Sequence, residues 1–245
     1  MTEPAKTSNY SPIIELRRYT LHPNRRDELI GVFDEHFLEG QEHCGMKIIG
    51  QFTDMDDPDA FVWFRGFNDM RARQKALTAF YDGPVWGEHR HTANATMVDS
   101  DDVLLLHPAY DGLDFELPVS RNANQKAAPA SSIFRIATYK LRAPAETGFI
   151  EFYKTDLAPI LNDSGDRRIA LLASEHSENS FTRLPVRLGE NVLVSVSRFD
   201  SAAEEADFDR ALADRMDFDQ ARLATWLIAP LVTARLKPTA GSLLR

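Results

Sequence analysis

The predicted order of secondary structure in this 245-residue chain begins a second time halfway along the sequence. Apolar and polar residues alternate from Ile13 to Leu21, which indicates a strand, and apolar residues at helical spacing follow. Ile133 to Leu141 repeats the strand pattern, and Pro144 opens another helical segment. The chain is therefore predicted to contain two diverged copies of one unit. The matching landmarks are Tyr19 with Tyr139, Leu21 with Leu141, Phe67 with Phe199, Trp86 with Trp226, and Pro108 with Pro238.

Each copy has the order strand, helix, strand, strand, helix, strand. This order is typical of a four-stranded antiparallel sheet with both helices on one face, which is the ferredoxin-like arrangement. Two such sheets can bury their bare faces against each other, so we predict an α+β fold in which two βαββαβ repeats form a pseudo-dimeric α+β barrel. We expect the first repeat in residues 1–108, a linker rich in Pro, Gly, Ser, Asn and Ala in residues 109–131, and the second repeat in residues 132–245.

Composition excludes several classes of function. The formal net charge of −9 makes nucleic acid an unlikely partner, because nucleic-acid binding depends on basic surfaces. No apolar run approaches the roughly 20 residues that a membrane-spanning helix needs. Cys44 is the single cysteine, and the first residues have no basic and apolar leader pattern, so we expect a cytoplasmic protein. The hydrolase elbow, the P-loop and the dinucleotide fingerprint are also absent.

The seven histidines do not form a recognisable metal motif. His36 and His43 lie on one edge of a predicted helix, but seven helical residues rise about 10.5 Å, which is too far for one ion to be shared. The sequence contains no H-E-x-x-H motif and no cysteine–histidine cluster. We therefore predict no metal site and no cofactor, although a haem with one axial histidine stays compatible with the sequence.

Three motifs in the first half resemble those of the NIPSNAP family of dimeric α+β barrel proteins. They are ELRRYTL from Glu15 to Leu21, FNDMRAR from Phe67 to Arg73, and PVW from Pro84 to Trp86. The resemblance covers Ile13 to Pro108, whereas the second half keeps the order of elements and lacks the motifs. It implies the barrel fold and leaves a homodimer open. The wider superfamily, as the resemblance implies, contains cofactor-independent monooxygenases, dehydratases, haem-binding enzymes and binding proteins, so the fold does not choose among these functions.

Candidate site residues follow from the alternation of side chains along strands. Glu15, Arg17 and Tyr19 share one face of the first strand, while Ile14 and Leu16 share the other. We expect the apolar face to cover the helices, which would direct the polar face into the barrel interior. The same reasoning directs further side chains inward, namely Trp63 and Arg65 on the third strand and Ser195 and Ser197 in the second copy.

The sequence thus predicts a small-molecule binding protein or a cofactor-independent, monooxygenase- or dehydratase-like enzyme, with its ligand inside the barrel. The sequence does not identify any catalytic residue. The alternative is a non-catalytic structural or protein-interaction module, in which the polar residues form only an ion-pair network. Trp86 and Trp226 are expected to be structural anchors that do not touch the ligand. The predicted ligand-binding residues are Arg17, Tyr19, Trp63, Arg65 and Tyr139, with Arg65 as the free guanidinium. The predicted charge-pairing residues are Glu15 and Arg135, and Arg17 and Arg65 are the alternative partners of Glu15.

Overall fold

The structure, a computed structural model, describes residues 11–110, 114–115, 117, 131–215 and 220–245. Most of the predicted linker, residues 109–131, lies outside the described residues. Within the described part of the chain, no helix is long and apolar enough to cross a membrane.

The described elements follow the predicted order twice, with four strands in each copy. A π-helical turn interrupts the first helical segment of both copies, over Phe33–Phe37 and Tyr153–Leu157. The elements of the first copy are β1 (Ile13–Leu21), α1 (Arg26–Val32), α2 (Leu38–His43), β2 (Lys47–Asp54), β3 (Ala60–Phe67), α3 (Met70–Tyr81), α4 (Pro84–Asn94) and β4 (Met97–Pro108). Those of the second copy are β5 (Ile133–Lys140), α5 (Phe149–Phe152), α6 (Ala158–Asp163), β6 (Arg168–Ser174), β7 (Val192–Phe199), α7 (Ala202–Ala213), α8 (Gln220–Trp226) and β8 (Val232–Pro238).

The eight strands close into one antiparallel barrel in the order β1-β3-β2-β8-β5-β7-β6-β4. Each repeat contributes a four-stranded sheet with the same internal order. The two sheets join at β2 with β8 and at β4 with β6, where each junction is three residue pairs long. The predicted α+β barrel of two ferredoxin-like repeats is therefore confirmed.

Local sequence explains where the helices begin. The Asp69 side chain accepts a hydrogen bond from the Ala72 backbone N–H at 2.6 Å and caps α3. Ser201 caps α7 in the same way through the Glu204 N–H, as the S-x-x-E pattern indicates. Pro84 occupies the first turn of α4, a position that needs no backbone donor.

The two faces of the sheet are oriented opposite to the prediction. Ile14, Leu16, Val62 and Phe64 belong to the apolar core of the barrel interior, which both repeats fill. Tyr19 and the other residues of the polar face lie instead between the sheet and the helices of the first repeat. The prediction was wrong because it treated only one face as buried, whereas every residue of β3 is buried. In a closed barrel both faces of the sheet are covered, so apolar content alone does not identify the face that meets the helices.

Candidate functional site

A buried cluster of four charged side chains lies between the sheet and the helices of the first repeat. Glu15 on β1 is fully buried, and its carboxylate accepts hydrogen bonds from three arginines. Arg17 Nη1 lies 2.7 Å from Glu15 Oε2, and Arg65 Nη2 lies 2.7 Å from the same oxygen. Arg73 reaches in from α3, with its Nε 2.6 Å from Glu15 Oε1. We call these four residues the Glu15 cluster.

The Glu15 cluster contains more positive than negative charge. Burial alone would raise the pKa of Glu15, but attraction by Arg65, Arg17 and Arg73 outweighs it and holds that pKa far below its usual range. Burial lowers the pKa of Arg73, and the other two arginines add to this effect. With one carboxylate and three guanidinium groups, the cluster has a formal excess of two positive charges.

Within the described part of the chain, the other groups that bind the cluster are neutral. Arg65 Nη1 donates to the Gln41 side-chain oxygen at 2.9 Å, and Arg73 Nη1 donates to the Asn179 side-chain oxygen at 2.9 Å. Neither contact supplies negative charge. Since buried charges in proteins are normally balanced, the excess makes the neighbourhood of the cluster favourable for an anion.

A cavity of about 170 Å³ lies beside the Glu15 cluster, and we call it the helix–sheet cavity. Arg17, Tyr19 and Trp63 line its sheet side. Its helix side is largely aromatic: the Trp86 ring lies 5.4 Å from that of Phe37, measured between centroids. The remaining aromatic lining residues are Phe33, Phe80 and Tyr81, and the charged lining residues besides Arg17 are Asp101 and Arg183.

Two hydrogen-bond donors at the sheet side are available to a ligand. The Tyr19 hydroxyl accepts a hydrogen bond from Arg17 Nε at 3.1 Å, and among the described residues its own hydrogen has no acceptor. Burial raises the pKa of Tyr19, although Arg17 opposes the shift, so the phenol is neutral and can donate at physiological pH. The indole Nε1 of Trp63 is buried and likewise lacks an acceptor within the described part of the chain. A ligand oxygen in the cavity could accept from both groups.

The structure brings only some of the predicted ligand-binding residues together. Arg17, Tyr19 and Trp63 line the helix–sheet cavity, whereas Arg65 does not line it. Arg65 was predicted as the free guanidinium, but it is fully buried and bonded to Glu15 and Gln41. This correction follows from the reversed orientation of the sheet, since the helix-facing side offers Arg65 polar partners that the barrel interior would not.

Of the three arginines predicted as possible partners of Glu15, Arg17 and Arg65 form the ion pair and Arg135 does not. Its guanidinium forms an ion pair with Asp209 on α7 of the second repeat. Arg135 does occupy the position on β5 that Glu15 occupies on β1, because it lies opposite Ser197 as Glu15 lies opposite Arg65. Both positions face the helices of their own repeat, so the barrel interior separates them.

Tyr139, the fifth predicted ligand-binding residue, belongs to the second repeat and lines a separate cavity of about 60 Å³. There the positions of Arg17 and Trp63 are held by Ala137 and Ser195, which face each other across β5 and β7. Tyr153 fills part of the space, and its hydroxyl donates to Ser195 Oγ at 3.1 Å. The second repeat therefore has no counterpart of the Glu15 cluster at these positions.

Sequence reasoning missed Arg73 and the role of Trp86. Arg73 lies on the buried face of α3 together with Ala76, Leu77 and Phe80. An arginine within an apolar helical stripe was a usable signal, because a buried guanidinium requires a carboxylate. Trp86 was expected only to anchor the helix, yet its ring also lines the helix–sheet cavity.

Comparisons with known proteins agree with the fold. The solved structures of a candidate monooxygenase from Fusobacterium nucleatum subsp. nucleatum ATCC 25586 and of an anthrone oxidase-like protein are similar to this chain. The first is 9% identical, covers 94% of this chain and 93% of its own, and has a TM-score of 0.59. The second is 12% identical, covers 93% of this chain and 91% of its own, and has a TM-score of 0.58. At such low identity these similarities show the fold alone.

A candidate monooxygenase from Lactobacillus acidophilus NCFM is 13% identical, covers 93% of this chain and 94% of its own, and has a TM-score of 0.54. No curated protein matches the sequence. The NIPSNAP family model matches residues 14–111, the span that includes the Glu15 cluster and most of the helix–sheet cavity. The first repeat of this fused α+β barrel is therefore similar to NIPSNAP domains, and the match covers less than half of the chain.

Proposed function

We propose that this protein binds a single-ring aromatic molecule with an acidic oxygen, such as a phenol or a benzoate, in the helix–sheet cavity. The observation that carries this proposal is the excess of two positive charges in the buried Glu15 cluster. An anionic oxygen beside Arg17 would balance part of that excess. The proposal retains Arg17, Tyr19 and Trp63 as ligand-binding residues and replaces Arg65 and Tyr139 by Tyr81 and Trp86.

The size and lining of the cavity support a ligand with one ring. An engineered apolar cavity of about 150 Å³ in another protein holds benzene, and the helix–sheet cavity has about 170 Å³. Aromatic side chains favour edge-to-face and offset contacts with a planar ligand. The donors of Tyr19 and Trp63 and the guanidinium of Arg17 lie on the sheet side, so the ligand oxygen is expected there.

We also propose that the protein is cytoplasmic and that it acts without a nucleic-acid partner. Cys44 is free in the structure, which fits a reducing compartment. Pairing of two chains into a homodimer stays a prediction, and light scattering of the full chain tests it.

Tryptophan fluorescence tests the proposal directly, because Trp63 and Trp86 line the cavity while Trp226 lies in the second repeat. Titration with phenol or benzoate is expected to change the emission with a saturable, one-to-one dependence, and toluene is the neutral control. Tyr19→Phe removes one hydrogen bond, worth about 1 kcal/mol, and should weaken benzoate binding roughly fivefold.

The matched control is Tyr139→Phe, which makes the same change at the equivalent strand position of the second repeat. It should leave binding unchanged. If no ring acid binds, or if both variants weaken binding equally, the helix–sheet cavity is not the binding site. The Glu15 cluster then has only the structural role that the alternative interpretation gives it.

A second candidate function is oxidation of such a ligand by dioxygen without a cofactor. Arg17 supports it, because a guanidinium beside a bound phenol lowers the phenol pKa and favours the electron-rich anion. The names of the three structural neighbours support it as well. In this reaction, which only a phenol can undergo, an electron-rich ring carbon of the phenolate that carries hydrogen adds dioxygen and a proton to form a hydroperoxide. Loss of water from the hydroperoxide leaves a carbonyl, so one oxygen atom enters the product and the other leaves as water.

An oxygen electrode separates binding from catalysis. The full chain with hydroquinone, in the presence of a chelator, is expected to consume dioxygen faster than buffer does. Tyr19→Phe should slow that consumption, and Tyr139→Phe should not. If the ligand binds but the protein does not speed dioxygen consumption, the proposed binding function stands and the proposed oxidation is rejected.

A further inference from the structure

A second cavity, of about 470 Å³, lies at one mouth of the barrel interior, and we call it the barrel-mouth cavity. It is on the opposite side of the sheet from the helix–sheet cavity. Leu16 and Arg18 of β1 line the barrel-mouth cavity, while Arg17 and Tyr19 of the same strand line the other. The two cavities therefore lie on opposite faces of β1, and among the described residues they share no lining residue.

The lining changes from apolar to charged along individual strands. On β5, Ile136, Thr138 and Lys140 share the interior face, since they are two residues apart. On β1 the apolar Leu16 is followed by Arg18 on the same face. On both strands the first of these lining residues lies within the apolar barrel core, and the last has a charged side chain. The other apolar lining residues are Val62, Leu104, Val232 and Ala234.

The far part of the barrel interior is filled. Phe115 packs against Phe64 with ring centroids 5.2 Å apart, and Phe134 lies 5.0 Å from Phe52. Among the described residues, the cavity is therefore a pocket with an apolar inner part and a polar opening. Its volume is within the range of small-molecule sites, about 300–1,000 Å³.

Most charges at the opening are already paired. Arg18 holds Asp54 at 2.6 Å and Asp57 at 2.8 Å. Arg187 holds Asp102 at 3.1 Å, and Asp56, which also lines the opening, lies 3.5 Å from Arg235. Lys140, in contrast, has no carboxylate within ion-pair distance among the described residues. Its ammonium group can therefore bind an anion without breaking an existing ion pair.

We propose that the barrel-mouth cavity binds a medium-chain alkyl carboxylate, with the alkyl chain in the apolar part and the carboxylate at Lys140. Burial of the chain supplies most of the affinity, because the hydrophobic effect grows with the apolar area removed from water. Lys140 selects the anionic head group. This site is independent of the function proposed for the helix–sheet cavity.

Calorimetric titration of the full chain with decanoate, decanol and decylamine tests the proposal. Decanoate should bind saturably with one-to-one stoichiometry and more tightly than the other two. Lys140→Met keeps the apolar stem and removes the charge, and it should weaken decanoate binding about tenfold while leaving decanol binding unchanged. Lys237→Met is the matched control, because Lys237 is exposed on β8 and does not line the cavity.

Ala234→Leu adds volume to the apolar part and should weaken decanoate and decanol alike, by about tenfold or more. If Ala234→Leu impairs folding, Lys140→Met still tests the proposal, because Lys140 lies at the opening and outside the core. Tyr19→Phe should not alter decanoate affinity, and benzoate should not compete with decanoate, so this proposal and the proposed function can fail separately. Absence of saturable decanoate binding, tighter binding of decylamine, or unchanged decanoate affinity in Lys140→Met would overturn the proposal.

Discussion

The buried Glu15 carboxylate links three arginines of the first repeat. It is the shared partner of Arg17, Arg65 and Arg73, which come from two strands and one helix. No water-exposed surface is available to these groups, because all four side chains are at most 1% exposed. Removing the carboxylate would therefore leave three guanidiniums to repel one another in a buried site.

We expect Glu15→Gln to lower the free energy of unfolding by about 3–5 kcal/mol, the usual effect of removing one partner of a buried ion pair. Urea unfolding followed by circular dichroism measures the change. Glu39→Gln, at an exposed position of α2, is the control and should change stability by less than about 0.5 kcal/mol. A loss below about 1 kcal/mol in Glu15→Gln would contradict the ionised, paired state of Glu15.

The same residue predicts how stability depends on pH. The pKa of Glu15 is lower in the folded protein than in the unfolded chain, where it is about 4.3. Ionised Glu15 therefore stabilises the fold fully above that unfolded pKa, and its contribution declines as pH falls toward the folded pKa. The difference in unfolding free energy between wild type and Glu15→Gln should shrink steadily below about pH 4. A difference that stays constant with falling pH would exclude the pKa shift.

At the scale of elements, Gly83 allows the short connection between α3 and α4. A Cβ atom on Gly83 would lie 2.6 Å from the Ala79 carbonyl oxygen and 3.2 Å from that of Phe80. These contacts are to the backbone and cannot be relieved by a rotamer change. Gly83 thus allows α4 to start immediately beside the end of α3, which places Tyr81 and Trp86 together at the helix–sheet cavity.

We expect Gly83→Ala to lower the unfolding free energy by about 1–3 kcal/mol, as overpacking typically does. Gly87→Ala is the matched control inside α4, where an added Cβ meets nothing within 4 Å. It should raise stability by about 0.5–1 kcal/mol, because glycine is a poor helix former. Thermal and urea unfolding measure both changes, and equal effects of the two substitutions would reject the steric explanation.

The elements differ in how far sequence could predict them. Alternating strands, the Ser201–Glu204 capping pattern and the Pro84 helix start depend on local chemistry and were predictable. Asparagine often caps helices, but Asn24 adopts a left-handed φ of 64°, and α1 begins at Arg26. The π-helical turn at Phe33–Phe37 was not predicted, because apolar residues at helical spacing do not distinguish a π turn from an α turn.

The site was harder to predict than the fold because it depends on which sheet face meets the helices. Alternation grouped Glu15, Arg17 and Tyr19 correctly on one face of β1. It could not assign that face, because Ile14 and Leu16 on the other side are equally buried. A contact between Glu15 and Arg73 spans 58 positions of sequence and follows only from the tertiary packing of α3.

At the scale of the whole molecule, each repeat completes the other. A single repeat would expose the interior face of its sheet, including Val62 and Phe64, and would leave the edges of β2 and β4 unpaired. We expect residues 11–110, produced alone, to pair into a homodimer that rebuilds the barrel from two identical halves. Light scattering after size-exclusion chromatography measures the mass. Val62→Asp places a charge on the buried face and should prevent pairing, whereas a folded monomer without that substitution would contradict the expectation.

Joining both halves in one chain also changes what a single substitution can do. In a barrel of two identical subunits, every substitution is present twice and alters both halves together. Here Arg17 faces Trp63 in one half, while Ala137 faces Ser195 in the other. Each half can therefore acquire its own chemistry, and a side chain that would disable one pocket can be harmless, or supportive, at the matching position of its neighbour.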